Sequence, residues 1–163
     1  MLVEYVPPTQ RFDVLICAIH ASVEIGTAEI AREIHAACSS RCGLYIHWSK
    51  HHVTSNLFDD PLFDTVVRQY KTVISIHGMR STEQIAHIDG RDRASVRALR
   101  KALSLPVNKS PPLHLRGEHV ANVVNRAREK AGVQIEVSYP VRQSDTPLRS
   151  WLAQTVAQTL LLS

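Results

Sequence analysis

The chain has 163 residues, 44% of them apolar and 21% charged, an ordinary balance for a single globular domain spanning 1–163. No apolar run is longer than a strand or an amphipathic helix, so no membrane span is expected. Residues 1–11 hold no basic region followed by an apolar stretch; no signal peptide is visible, and a cytoplasmic product, or one released by another route, is expected. The formal net charge of +4 favours anionic partners without choosing among nucleic acid, a polyanionic polymer and small carboxylates. The three cysteines, Cys17, Cys38 and Cys42, read as reduced structural thiols.

Val14-Leu15-Ile16-Cys17-Ala18-Ile19 is the first short apolar run rich in β-branched residues, the pattern of a buried strand, and it leads into His20. Gly26-Thr27 then opens a helix, with Thr27 as N-cap, Glu29 in the first turn, and Ile30, Ile34, Ala37 and Cys38 as its apolar stripe. Leu44-Tyr45-Ile46-His47-Trp48 reads as a second strand, followed by a polar loop from Ser49 towards Asp60. Asp60-Pro61 sets cap and proline in the order that starts a helix, whose buried face is Phe63, Val66, Val67 and Tyr70. Val73-Ile74-Ser75-Ile76 makes a third strand ending at His77-Gly78, and Ile85 to Ile88 a short fourth.

Asp92 caps a helix with Val96, Leu99 and Leu103 inward and Arg93, Arg97, Arg100 and Lys101 on a basic face. Lys109-Ser110-Pro111-Pro112 is a turn-rich connector. Gly117-Glu118-His119 leads into a further helix carried by Val120, Val123, Val124 and Ala127 and stopped by Gly132. Val133-Gln134-Ile135-Glu136-Val137 is another strand, and Asp145 or Thr146 with Pro147 starts a closing helix facing inward with Leu148, Trp151, Leu152, Val156 and Leu160. Strands alternating with helices predict a three-layer α/β fold, its sheet mainly parallel or mixed, with helices on both faces.

Ligands of open α/β sheets bind where strands end. His20 and His77 both stand at such ends, and Glu24 follows His20 in the same loop. Two imidazoles and a carboxylate make an open zinc site with a fourth position for water. Glu136 puts a charge inside an apolar strand, which is costly without a partner or a task. The strand's two-residue period sets Gln134, Glu136 and Ser138 on one face. Asn122 with Asn125 and Arg126 could grip a carboxylate, with Arg91 a second candidate. His35, His47, His87, His114 and His119 show no spacing that builds a further site.

Several segments, taken in order, resemble the zinc-dependent poly-γ-glutamate hydrolases of bacteriophages and their bacterial relatives. They are Ala18-Ile19-His20 with Glu24-Ile25-Gly26-Thr27-Ala28-Glu29, His52-Val53-Thr54-Ser55 with Phe58-Asp59-Asp60-Pro61, and Val73 to Gly78. Gly90-Arg91-Asp92, Asn122 with Asn125-Arg126, and Gly132 to Ser138 complete the set. The resemblance implies a carboxypeptidase-like metallopeptidase fold, one Zn2+ per chain held by His20, Glu24 and His77, and Glu136 as general base for a zinc-activated water. The chain departs from the family in carrying Ala21-Ser22-Val23 where glycines are usual and Ile25 where proline is usual. Glu29 therefore stands as the alternative carboxylate ligand. His52 belongs to the shared motif, and loop order or substrate contact suits it better than ligation.

The substrate implied is the γ-glutamyl amide bond of poly-γ-glutamate or a related acidic amide. A hydrolase of short N-acyl amino acids or cell-wall peptides would use the same site. A non-catalytic binder of nucleic acid or another polyanion is the reading from a different class. Against it, no nucleic-acid motif is present, and aromatics at 6% leave few stacking platforms.

Overall fold

The computed structural model describes residues 2–10, 13–39, 41–104, 106–108, 111–143 and 147–162. Its strands are β1 (Leu2–Val6), β2 (Val14–Ala18), β3 (Gly43–Trp48), β4 (Thr72–Met79), β5 (Ala86–Gly90), β6 (Val107–Asn108) and β7 (Val133–Ser138). Its helices are α1 (Thr27–Ala37), α2 (Pro61–Val67), α3 (Arg93–Ala102), α4 (Tyr139–Arg142) and α5 (Pro147–Leu161). The seven strands form one mixed sheet in the order β1-β3-β2-β4-β7-β5-β6. β3, β2, β4 and β7 run parallel, while β1 runs antiparallel to β3 at one side, and at the other β5 runs antiparallel to β7 and parallel to β6.

Alternation along the strands sorts the core into two layers. Ile16, Ile46, Ile74, Ile76, Ile88, Ile135 and Val137 pack on one face against α1, α3 and α5. Leu15, Cys17, Tyr45 and Val73 pack on the other face with Phe63, Val66, Val123 and Val124. This is the predicted three-layer arrangement, with a mixed sheet.

Most predicted elements form as their chemistry dictates. Asp60 accepts from the Phe63 backbone N–H at 2.9 Å with Pro61 at the first turn of α2, and Asp92 accepts from Ser95 N at 3.0 Å to start α3. The basic face of α3 is partly neutralised: Arg93 pairs with Asp89 and Glu118, and Arg100 donates to Ile88 O.

Three expectations are corrected. Gly26, not Thr27, caps α1; its φ is +93°, and a Cβ there would lie 2.5 Å from Arg142 O, so glycine is required. Thr27 instead donates its hydroxyl to Glu24 O at 2.8 Å. Ala37 is exposed, and His35 is buried in its place. The predicted helix after Gly117 is a 3-10 turn, Val123–Asn125, within a folded loop. There Asn122 Oδ1 takes the Val124 N–H, while Arg128 N and Glu129 N donate to Tyr70 O and Lys71 O. Those bonds draw the backbone out of the i−4 ladder that a helix needs. Val123, Val124 and Ala127 are still buried, but Val120 is exposed. The sequence pattern does not mark β1, β6 or α4, and the expectations for Lys109, Ser110, Asp145 and Thr146 fall outside the described residues.

Gly132 closes this loop onto the sheet. A Cβ there would meet Val124 O at 2.3 Å and Val73 O at 2.6 Å, both backbone atoms. Gly132→Ala should therefore lower stability by about 1–3 kcal/mol, the usual cost of overpacking, read as a reduced urea midpoint at unchanged m-value.

Candidate active site

The strand directions bring the chemistry to one edge. β3, β2, β4 and β7 all end there, so the loops after β3 and β2 meet His77 and Glu136. Because β5 is antiparallel, its beginning lies at the same edge, and His77, Glu136 and His87 stand abreast in register across β4, β7 and β5. A groove of about 690 Å³ crosses this edge, lined among others by His20, Glu24, His52, His77, Arg80 and Glu136.

His20, Glu24 and His77 are in mutual contact. Glu24 Oε1 is 3.0 Å from His20 Nδ1, Glu24 Oε2 is 3.5 Å from His77 Nδ1, and the two Nδ1 atoms are 3.2 Å apart. Each imidazole is held by its other nitrogen. His20 Nε2 lies 2.6 Å from Val53 O, an atom that can only accept, so Nε2 carries a hydrogen and Nδ1 is the nitrogen left to take a further proton or a cation. His77 Nε2 lies 2.8 Å from Ser75 Oγ and 3.4 Å from Ser55 Oγ, which can hold its hydrogen in the same way. Glu24 Oε2 also accepts from Gly78 N at 2.9 Å. Tetrahedral ligands at about 2.0–2.1 Å from one zinc ion stand roughly 3.3–3.4 Å apart. The donor set and its spacing fit a divalent ion.

His52 adds a third imidazole to Glu24. Its Nε2 is 3.4 Å from Oε1, its ring centroid is 4.3 Å from that of His20, and one ligand atom each from His20, Glu24 and His52 fall within 4.8 Å of one another. Its side chain is 55% exposed, however, against 3% for His77. Among the described residues no other side chain fixes its ring in the way Ser75 fixes His77. Of these two imidazoles, His77 is the buried one with an oriented second nitrogen and His52 the exposed one. Glu29, the alternative carboxylate, is exposed on α1 beside Arg142 and away from the imidazoles.

The charges reinforce one another. Burial would raise the Glu24 carboxyl, but hydrogen bonds and positive charge from His20 and His77 outweigh it and hold the carboxyl far below the usual range. Burial would lower His77, yet the Glu24 hydrogen bond and the charges of Glu136 and Glu24 leave it raised. The site thus attracts positive charge, as a proton on His77 or as a cation shared by the donors.

Glu136 is buried at 5% exposure in a central strand. Gln134 Nε2 donates to its Oε1 at 2.9 Å, and Oε2 has no protein partner among the described residues. Burial chiefly raises its carboxyl, with His77 pulling the other way and Glu24 adding to the rise.

The predicted substrate residues scatter. Asn122 lines the groove, donating to Gln134 Oε1 at 3.0 Å. Asn125 is turned inward, its amide donating to Gly117 O and His119 O. Arg126 faces another hollow, where it donates to Phe58 O at 2.7 Å and to Asp64 at 3.2 Å. Arg91 follows β5 and so lies at the opposite edge of the sheet, where Gly90 pairs with Val133. The contiguous sequence motif brings only Asn122 to the groove, because the 3-10 turn points its successors elsewhere. Arg80, His87 and His114 line the groove unpredicted; only the antiparallel register of β5 places His87 beside Glu136.

Arg142 braces this arrangement from behind. Its side chain donates to Val137 O at 2.9 Å and to Ile25 O, joining β7 to the Glu24 loop. A Cβ on Gly78 would lie 2.7 Å from its guanidinium carbon, so glycine lets the cation pass under the end of β4.

The poly-γ-glutamate hydrolase family model matches residues 5–146. The chain belongs to that family. Among curated relatives, it is 29% identical over 157 residues to UPF0714 protein YndL of Bacillus subtilis (strain 168), covering 89% of this chain and 61% of YndL. It is 30% identical over 138 residues to the SPbeta prophage-derived UPF0714 protein YoqZ of the same organism, covering 80% of this chain and 50% of YoqZ. The chain therefore spans one half to three fifths of the length of these curated relatives. Two solved structures share the fold. A bacteriophage poly-γ-glutamate hydrolase superposes with a TM-score of 0.83 at 18% identity, covering 96% of this chain and 87% of the other. Zinc-free YndL superposes with a TM-score of 0.78 at 23% identity, covering 99% and 90%.

Arg142→Met should keep the volume and leave the buried carbonyl of Val137 and the partly buried one of Ile25 without their donor. A loss of about 2 kcal/mol or more is expected from such unpaired acceptors, measured by urea denaturation against wild type.

Proposed function

We propose that the chain is a zinc-dependent amidohydrolase that cleaves γ-glutamyl amide bonds of poly-γ-glutamate or a related acidic amide. The observation that carries this reading is the contact of His20 Nδ1, His77 Nδ1 and Glu24, 3.0–3.5 Å apart, one strand away from a buried, uncommitted carboxylate oxygen on Glu136. Family membership gives the bond class. The name of zinc-free YndL and the imidazole–carboxylate donor set both favour zinc.

His20, Glu24 and His77 would hold the metal, one per chain. Zinc bound there supplies a Lewis acid for the amide carbonyl and lowers the pKa of water. The remaining work falls to the chain. Val53 O and Ser75 Oγ fix the two rings so that their Nδ1 atoms face inward. Gly78 N–H holds Glu24 Oε2 in place. Gln134 holds Oε1 of Glu136, so that Oε2 can take a proton from the attacking water and return it to the leaving amine. The raised carboxyl of Glu136 suits both transfers, since a base works best with a pKa close to the working pH. Asn122, bonded to Gln134, steadies that amide.

Glu136→Gln should reduce kcat on poly-γ-glutamate by roughly 10²–10⁴-fold, the usual share of a general base, while zinc content stays at one per chain by elemental analysis. Chelation should abolish turnover of the wild type, and added zinc restore it. A Glu136→Gln protein that turned over polymer at the wild-type rate would remove the proposed base. Ser75→Ala should weaken zinc binding about 10–100-fold by loosening His77, measured by competition with a chromogenic chelator; an unchanged affinity would mean that His77 is not a ligand.

A further inference from the structure

Resting on that reading, we infer that Arg80, together with His87, forms the subsite that holds a free carboxylate of the glutamyl unit next to the scissile bond. Arg80 follows β4 directly, at the start of residues 80–85, the segment that passes over the end of β7 to begin β5. It is exposed and lines the groove, and no ion pair or hydrogen bond engages it among the described residues. It is also the sole arginine or lysine lining that groove among them. The nearby arginines are spent elsewhere: Arg142 on Val137 O and Ile25 O, Arg126 on Phe58 O and Asp64.

The second observation is His87. It is 9% exposed, lines the same groove, and its buried Nδ1 has no hydrogen-bond partner among the described residues. It stands on the far side of Glu136 from His77, so the order across the edge is metal-site imidazole, base, free imidazole. Adjacent strands lie about 4.8 Å apart, which sets His87 roughly two strand widths from His77. A polymer crossing the groove with its scissile amide between the donor cluster and Glu136 would bring the next unit towards His87 and Arg80. Each γ-linked glutamyl unit carries one free α-carboxylate, and an arginine fork matches a carboxylate in shape and charge. Glu83 also lines the groove on the same segment; it makes no ion pair with Arg80, so the guanidinium is free for a ligand.

The test compares Arg80→Gln with Arg97→Gln, an exposed change on α3 that removes the same charge outside the groove. On zinc-loaded protein with γ-glutamyl oligomers, Arg80→Gln should raise KM about tenfold, the scale of one charge-assisted hydrogen bond, with a smaller change in kcat. Arg97→Gln should leave both unchanged. With oligomers whose α-carboxylates are capped as amides, wild type and Arg80→Gln should become equal. A KM for Arg80→Gln equal to that of Arg97→Gln, or a difference that survives capping, would overturn the subsite. Calorimetric binding of the same oligomer to Glu136→Gln, with and without Arg80→Gln, reads the subsite without turnover. A tenfold loss of affinity supports it and equal affinity refutes it. A wild type that cleaves no oligomer would count against the hydrolase reading alone.

Discussion

Two imidazole nitrogens 3.2 Å apart, each with a carboxylate oxygen within 3.5 Å, impose the constraint around which this edge of the sheet is built. Bare nitrogens and anionic oxygens repel unless something positive lies among them. The fold holds them together regardless, through bonds to the outer atoms: Val53 O on one ring, Ser75 Oγ on the other, and Gly78 N–H on the carboxylate. The donors come from two strand ends, and the loop after β3 locks one of them. No local segment could supply this arrangement, so the site exists only when the parallel sheet does.

The supporting structure answers the same electrostatic demand. Arg142 lies buried behind the Glu24 loop, and its positive charge helps to offset the two carboxylates in front. Its passage requires glycine at positions 26 and 78, where a side chain would collide with its backbone or its guanidinium. The turn at Gly26, with its left-handed φ, also aims α1 back across the sheet. Small residues here are conditions for placing charge.

Much of this was legible in the residues. Continuous apolar runs marked the buried parallel strands, Asp60-Pro61 and Asp92 marked helix starts, and the histidines at strand ends marked the edge where donors meet. What escaped was what depends on partners distant in sequence. β1, with Glu4 in its middle and only part of its surface buried, earns its structure by pairing with β3. The loop after Gly117 has helical periodicity in its valines but spends its backbone on Asn122, Tyr70 and Lys71. Asn125 and Arg126 look like substrate grips beside Asn122, yet one turn of 3-10 geometry sends them to the interior and to another hollow. His87 gave no signal, because its neighbour Glu136 is supplied by a strand that returns much later in the chain.

That late return has a further meaning for the architecture. In the order β1-β3-β2-β4-β7-β5-β6, β7 is, among the described residues, the one strand that joins a four-stranded half to a two-stranded half. The strand carrying Glu136 is thus the keystone of the sheet. Loosening that strand to retune its carboxylate would also part the two halves. Variation is left to the connecting segments above, such as residues 80–85, which can be lengthened or recoloured while the keystone stays where it is.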